Sequence, residues 1–392
     1  MIYLDHAAAT PLLPAVRIAM EPYLSDQFFN PSALYLPAIR VREAYENARQ
    51  ELAMALGAKS AEITLTAGAT ESIHLAFQPF KNVIISDMEH PAVRAAAAAR
   101  PNSRIVRRGY ITEAIKPDTE LISVALADSI FGSIAPIAKI AAAVKTERAN
   151  RKKSGNNTPI YLHTDASQAP NLINLNVARL GIDLMTISAS KIGGPKQVGL
   201  LYAKAGVELT PLISGGGQEN GLRSGTENVA GVIGFATALK HAQGHAHANQ
   251  KHYNKLTDEF YKHFHRDFNL LDEYCILATR TGKTLANFIT IIAPGIDAER
   301  LVYLLETKGV YVATGSACSA KNHEENPTLK AYGYRPEWIF GYLRITLGST
   351  NTLDQMQPAA EAILDAIRTE SKRIPADTLK FIQQETKRLA IV

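Results

Sequence analysis

Cysteine is nearly absent: 392 residues include only Cys275 and Cys318. That excludes a disulfide scaffold and points to a reducing compartment. A long hydrophobic run is also missing. The most apolar stretch, residues 124–144, carries Asp128, Gly132, Pro136 and Lys139, so it does not read as a membrane-spanning helix. The opening Met1-Ile2-Tyr3-Leu4-Asp5-His6 has neither a basic start nor an apolar run behind it, so no secretory signal is read and the cytoplasm is the expected location. Nor is one charge in large excess. The balance is +5, from 42 basic and 37 acidic residues, too mild to suggest a direct nucleic-acid partner. Hydrophobic residues make up 46% of the chain, which excludes global disorder.

What is present is an alternation. Short β-rich runs at residues 62–66, 83–86, 104–107, 121–126, 160–163, 184–188 and 199–203 are interleaved with helical patterns at 38–56, 91–99 and 137–152. The expected fold class is α/β, with a mostly parallel sheet covered by helices. Such sheets bind ligands at the carboxyl ends of their strands. After about residue 235 the pattern changes. A long polar helical stretch (229–268) precedes strands at 285–293, 310–313 and 342–347 and a helix at 297–308, which reads as a second, smaller α+β domain.

Five strand ends could carry chemistry. In Ser188-Ala189-Ser190-Lys191-Ile192-Gly193-Gly194, a lysine follows an apolar strand, where partial burial lowers an amine's pKa and suits it to Schiff-base chemistry. Asp165, closing Tyr161-Leu162-His163-Thr164-Asp165, could keep a pyridinium nitrogen protonated, though it also reads as a helix cap. Gly68-Ala69-Thr70-Glu71-Ser72 offers backbone N–H groups and a hydroxyl to a phosphate, or else a capping pattern. His90, in Asp87-Met88-Glu89-His90-Pro91, could stack on a planar ring or move a proton. Cys318 lies in the small-residue run Gly315-Ser316-Ala317-Cys318-Ser319, where a thiol would be accessible. Cys275 reads as structural. His241 and His245 are spaced to bridge a metal, but nothing nearby completes a ligand set, so no metal is expected.

Taken together, these motifs resemble the cysteine desulfurases, in the class-V aminotransferase group of fold-type I pyridoxal-phosphate enzymes. The resemblance runs end to end. It begins at Leu4-Asp5-His6-Ala7-Ala8-Ala9-Thr10-Pro11 and Asn30-Pro31-Ser32. It continues through the strand-end motifs and Asp165-Ala166-Ser167-Gln168, then Gly215-Gly216-Gly217-Gln218-Glu219 and Arg223-Ser224-Gly225-Thr226-Glu227-Asn228. It closes on the Cys318 run and Leu343-Arg344-Ile345-Thr346-Leu347-Gly348.

The resemblance implies a large coenzyme-binding domain at 13–250, with 1–12 and 251–392 forming a small domain that carries the cysteine loop. It implies pyridoxal 5'-phosphate as cofactor, L-cysteine as substrate and Lys191 as the imine lysine. Asp165 would meet the ring nitrogen, Gln168 the ring hydroxyl and His90 the ring face. Ala69, Thr70, Ser188 and Ser190 would hold the phosphate. Thr226 would reach the phosphate of a neighbouring subunit in a homodimer. Arg344, Asn30 and Ser129 would bind substrate, with Arg344 clamping its carboxylate. Cys318 would take the sulfur as a persulfide and pass it to an acceptor protein for iron–sulfur cluster assembly or tRNA thiolation. Ser190 and Gln218 stand where the family has histidines, and Asp128-Ser129 where it has paired asparagines. Selenocysteine lyase, another class-V enzyme and a catalytically weakened scaffold are the alternatives.

Overall fold

A computed structural model describes residues 1–265, 277–279, 283–314, 327–334, 336–375, 377–378 and 380. Cys275 and Cys318 lie outside the described residues. From the N-terminus the elements are β1 (Ile2–Tyr3), α1 (Pro14–Met20), α2 (Leu36–Leu56), β2 (Ile63–Thr66), α3 (Ala69–Phe77), β3 (Asn82–Ser86), α4 (Pro91–Ala98), β4 (Asn102–Val106) and β5 (Leu121–Ser123). Then come α5 (Ile137–Ser154), β6 (Tyr161–Asp165), α6 (Val177–Leu180), β7 (Leu184–Ser188), β8 (Gly199–Ala203) and α7 (Val229–Phe264). The chain continues with β9 (Leu277–Thr279), β10 (Phe288–Ile292), α8 (Ala298–Thr307), β11 (Val310–Tyr311), α9 (Pro327–Ala331), α10 (Pro336–Ile339), β12 (Tyr342–Thr346) and α11 (Met356–Ser371).

Contacts divide the chain into two units. The larger comprises Thr10–Asp128 and Ile134–Ala246; the smaller comprises Met1–Ala9, Ser129–Ser133 and His247–Val392. The larger is built on a seven-stranded sheet of order β2-β8-β7-β6-β5-β3-β4. Strands β7, β6, β5, β3 and β4 run parallel, while β8 is antiparallel to both β7 and β2. The α/β reading with a mostly parallel sheet is what the chain adopts. Strands β2 and β7 are buried along their whole length, as expected of strands covered on both faces. Helix α2 shows how the cover forms. Ala38, Val41, Tyr45, Ala48, Leu52 and Leu56 recur every three or four residues, and that stripe is buried in the core with Ile63, Leu65, Ile187 and Leu200.

One strand is shorter than the sequence suggests. β5 stops at Ser123 although the apolar run continues to Leu126. Val124 and Leu126 still donate to His163 and Asp165, but the intervening Ala125 N–H turns to the Glu89 side chain at 2.8 Å. A side-chain acceptor has replaced the next strand's carbonyl. Similarly β10 begins at Phe288 rather than 285, because Leu285 N–H is taken by Gly132 O at 2.8 Å.

The smaller unit holds a three-stranded antiparallel sheet, β12-β10-β9, and the parallel pair β1-β11. Ile130 and Phe131 join its core with Ile292, Leu329, Trp338 and Tyr342. No helix among the described residues is long and apolar enough to cross a membrane.

Candidate active site

The register of the large sheet aligns the chemistry. Thr66 and Ser188 both pair with Gly199, so the ends of β2 and β7 lie in one row, and Asp165 pairs with Thr186 beside them. The turns that follow these strands therefore leave the sheet at one edge, its carboxyl edge. Asp165 and Ser188 close their strands at this edge, Ser190, Lys191, Gln168 and His90 lie on the turns that follow β7, β6 and β3, and Ala69 and Thr70 open the helix after β2. Sequence order alone could not tell that β2 joins through β8 to β7.

The lysine turn is held firmly. Ser190 O accepts both Thr10 N–H at 3.0 Å and Thr10 Oγ1 at 2.9 Å, and Thr10 Oγ1 accepts Gly193 N–H at 2.8 Å. The Ser188 and Ser190 hydroxyls lie 3.0 Å apart, forming a two-hydroxyl pair beside half-buried Lys191. Thr10 braces the turn from a distance that local sequence pattern does not reveal, since 180 positions separate it from Ser190.

The turn after β2 has the features of an anion cradle. Gly68 adopts φ +127°, which an L side chain resists, and α3 starts from it with no side-chain cap. Gly199 lets this turn approach: a Cβ there would lie 2.7 Å from the Gly68 Cα. Thr66 Oγ1 and Ser72 Oγ, 2.7 Å apart, brace the turn from within.

Asp165 Oδ1 accepts Ser167 N–H at 2.9 Å, which orients the carboxylate at the end of β6. His90 caps α4 with its ring, Nδ1 accepting Ala92 N–H at 3.1 Å, so the ring plane is set by the backbone. The preceding Glu89 is a buried acid that its loop motif does not announce. It is only 2% exposed, with Oε1 on Ala125 N–H and Oε2 buried with no hydrogen-bond partner among the described residues. Burial pushes its carboxyl up to about 8, and the Asp165 charge adds to the rise.

The remaining candidates lie elsewhere. Asn30 is exposed and accepts Ser32 N–H at 2.9 Å. Thr226 is exposed on the loop leading to α7. Arg344 and Ser129 belong to the smaller unit and meet there: Arg344 Nη1 donates to Ser129 O at 2.9 Å and Nη2 to Asp5 Oδ1 at 2.8 Å. Asp128, which belongs to the larger unit, is buried. His241 and His245 stack with centroids 4.2 Å apart, and no group of three or more metal-ligating side chains occurs among the described residues.

The donor set of the large unit fits a flat, phosphorylated aldehyde coenzyme. It offers an amine at one strand end, a carboxylate at the next, a histidine ring fixed on the turn after β3, and hydroxyl and backbone donors beside an uncapped helix start. Comparison with known proteins agrees. The aminotransferase class-V family model matches residues 2–358. Cysteine desulfurase IscS of Dictyoglomus turgidum is 35% identical, over 94% of this chain and 96% of its own. The IscS of Methanosarcina thermophila is 33% identical, over 94% and 92%. Among solved structures, a NifS-like protein superposes with TM-score 0.82 at 28% identity, covering 94% of this chain and 99% of its own. SspA in complex with cysteine gives 0.72 at 26% identity, covering 88% and 99%.

Proposed function

The chain belongs to the class-V aminotransferase family, in its cysteine desulfurase branch, and on that premise we propose that it takes sulfur from L-cysteine with pyridoxal 5'-phosphate, releasing L-alanine and leaving a persulfide on Cys318. The observation that carries this reading is the pairing of β6 with β7, which sets Asp165 and the Lys191 turn at adjacent carboxyl ends.

Bound at that edge, the coenzyme supplies an electron sink for charge developing at the substrate Cα. The chain's residues do the rest. Lys191 Nζ would hold the coenzyme at its aldehyde carbon and is the amine placed to move the substrate Cα proton. Asp165 would keep the ring nitrogen protonated, Gln168 would meet the ring hydroxyl and His90 would cover the ring. Ser188, Ser190, Ala69 and Thr70 hold the phosphate, and Thr226 serves the phosphate of the partner in a homodimer. Arg344 presents a planar fork to the substrate carboxylate, with Asn30 and Ser129 as further substrate contacts.

Sulfur transfer balances without an added oxidant. The Cys318 thiolate attacks the substrate sulfur, an S–S bond forms, the Cβ–S bond breaks and Cβ takes a proton. The persulfide then passes to an acceptor protein of iron–sulfur assembly or tRNA thiolation, in the cytoplasm.

The test is turnover of L-cysteine, and in parallel L-selenocysteine, by the purified protein with and without pyridoxal phosphate. Alanine release with one extra sulfur on the Cys318 peptide is the expected result. Cys318→Ala should keep the coenzyme's absorbance and lose sulfide release. Alanine production from L-selenocysteine alone would overturn the desulfurase assignment.

A further inference from the structure

Two acid–guanidinium clamps hold the loop of residues 215–228, one to α2 and β2 and the other to the turn that follows β2. The first is buried. Glu219 Oε2 accepts Arg49 Nη1 at 2.6 Å and Leu65 N–H at 2.7 Å, and Oε1 accepts Arg49 Nη2 at 2.6 Å and Tyr45 Oη at 2.7 Å. Arg49 also donates to Ile63 O at 3.0 Å and to Glu46 at 2.9 Å. Every strong acceptor direction of a buried carboxylate is thus used, and two of the contacts reach β2 itself. To make them the chain adopts left-handed backbone at two consecutive non-glycine residues, Glu219 (φ +50°) and Asn220 (φ +55°). Strain of that kind persists only where surrounding bonds over-determine it.

The second clamp is nearer the surface. Arg223 Nε donates to Glu71 Oε1 at 2.9 Å, and Glu71 Oε2 accepts Ala67 N–H at 3.2 Å. Glu71 stands in the first turn of α3, directly after Thr70. Arg223 stands three residues before Thr226. The loop is stiffened around the clamps by Gly225 N–H on Gln218 Oε1 at 3.1 Å and Ser224 N–H on Ile213 O at 2.9 Å.

We infer that Glu71 and Glu219 are positioning residues for the phosphate end of the coenzyme, fixing the Thr70 turn and the Thr226 loop to each other as one piece. The inference rests on the coenzyme reading above. Neither acid needs to touch the phosphate, and both are neutralised by guanidinium groups, so neither repels it.

The experiment uses the half-buried pair, whose loss the fold should tolerate. Apoproteins of the wild type, Glu71→Gln, Arg223→Gln and the double variant are titrated with pyridoxal phosphate and with pyridoxal, which lacks the phosphate. Thermal melting of each apoprotein confirms folding. Each single variant should bind pyridoxal phosphate about tenfold more weakly, the loss typical of one charged hydrogen bond. The double variant should be no worse than a single one within about twofold, since the partners act as a unit. Pyridoxal affinity should not change. Equal losses for both compounds would reduce the clamp to a purely structural role and overturn the inference, as would unchanged binding of pyridoxal phosphate. A wild-type apoprotein that takes up neither compound would overturn the coenzyme reading itself, and the inference with it.

Discussion

Arg344 Nη2 donates to Asp5 Oδ1 at 2.8 Å, although 339 positions separate the two residues. A second fork nitrogen is on Ser129 O, and Nε is buried with no partner among the described residues. The guanidinium is therefore held in a fixed plane by one carboxylate and one carbonyl. If it clamps a substrate carboxylate, its planarity matters as much as its charge. Arg344→Lys keeps the charge and loses the fork, so KM for L-cysteine should rise by about tenfold or more, with a smaller fall in kcat. Steady-state alanine release measures both.

Glu89 should make the fold lose stability as pH rises from mildly acid to just above neutral. Its carboxyl is pushed from 4.5 up to about 8 by burial, then by the charge of Asp165, while Ala125 N–H, Arg94 and Arg108 oppose the rise. The folded state keeps a proton that the unfolded chain releases, so stability falls as pH rises between these two values, by up to about 1.4 kcal/mol per pH unit. Glu89→Gln carries no charge at any pH and should flatten that part of the profile. Denaturation midpoints at several pH values check it; parallel curves for the two proteins would refute it.

His163 should act on the acid side. Its Nδ1 lies 2.8 Å from Ser123 Oγ and its Nε2 3.0 Å from Thr186 Oγ1, and burial lowers its pKa to about 4. The ring is neutral in the fold, whereas the unfolded ring charges near 6.5, so stability is lost as pH falls through that window. His163→Gln should cost about 1–3 kcal/mol at neutral pH through its lost hydrogen bonds, yet show a shallower decline toward acid. Urea midpoints at neutral and mildly acid pH provide the comparison.

Gly199→Ala should strain the turn after β2. The added methyl would meet the Gly68 backbone at 2.7 Å and Ile187 O at 2.9 Å, both main-chain atoms with no room to yield. Overpacking of this kind costs about 1–3 kcal/mol. The expected result is a lower melting temperature of the apoprotein, together with weaker coenzyme uptake.

Much of the large sheet could be read in advance, because buried strands and amphipathic helices announce themselves by local pattern, and each candidate coenzyme contact sits in a short motif at a strand end. Lys191 and Asp165 are of this kind. What stayed hidden is long-range pairing between polar residues, which has no periodicity. Thr10 on the lysine turn, Glu219 on Arg49 and Asp5 on Arg344 are examples. Glu89 was hidden for a further reason. An acid beside a histidine in a loop motif looks solvated, and only the fold reveals that it displaces a strand carbonyl at Ala125. The pairing of β1 with β11 was missed because a two-residue strand is too short to carry a pattern.

The smaller unit is assembled from three separate stretches of chain. No single gene fragment encodes it. A piece excised from residue 247 onward would lack β1, leaving β11 without its mate, and would lack both anchors of the Arg344 guanidinium. Exchange of this part between relatives by simple recombination is accordingly barred; a transplant would have to carry the first nine residues and the insert at 129–133 as well.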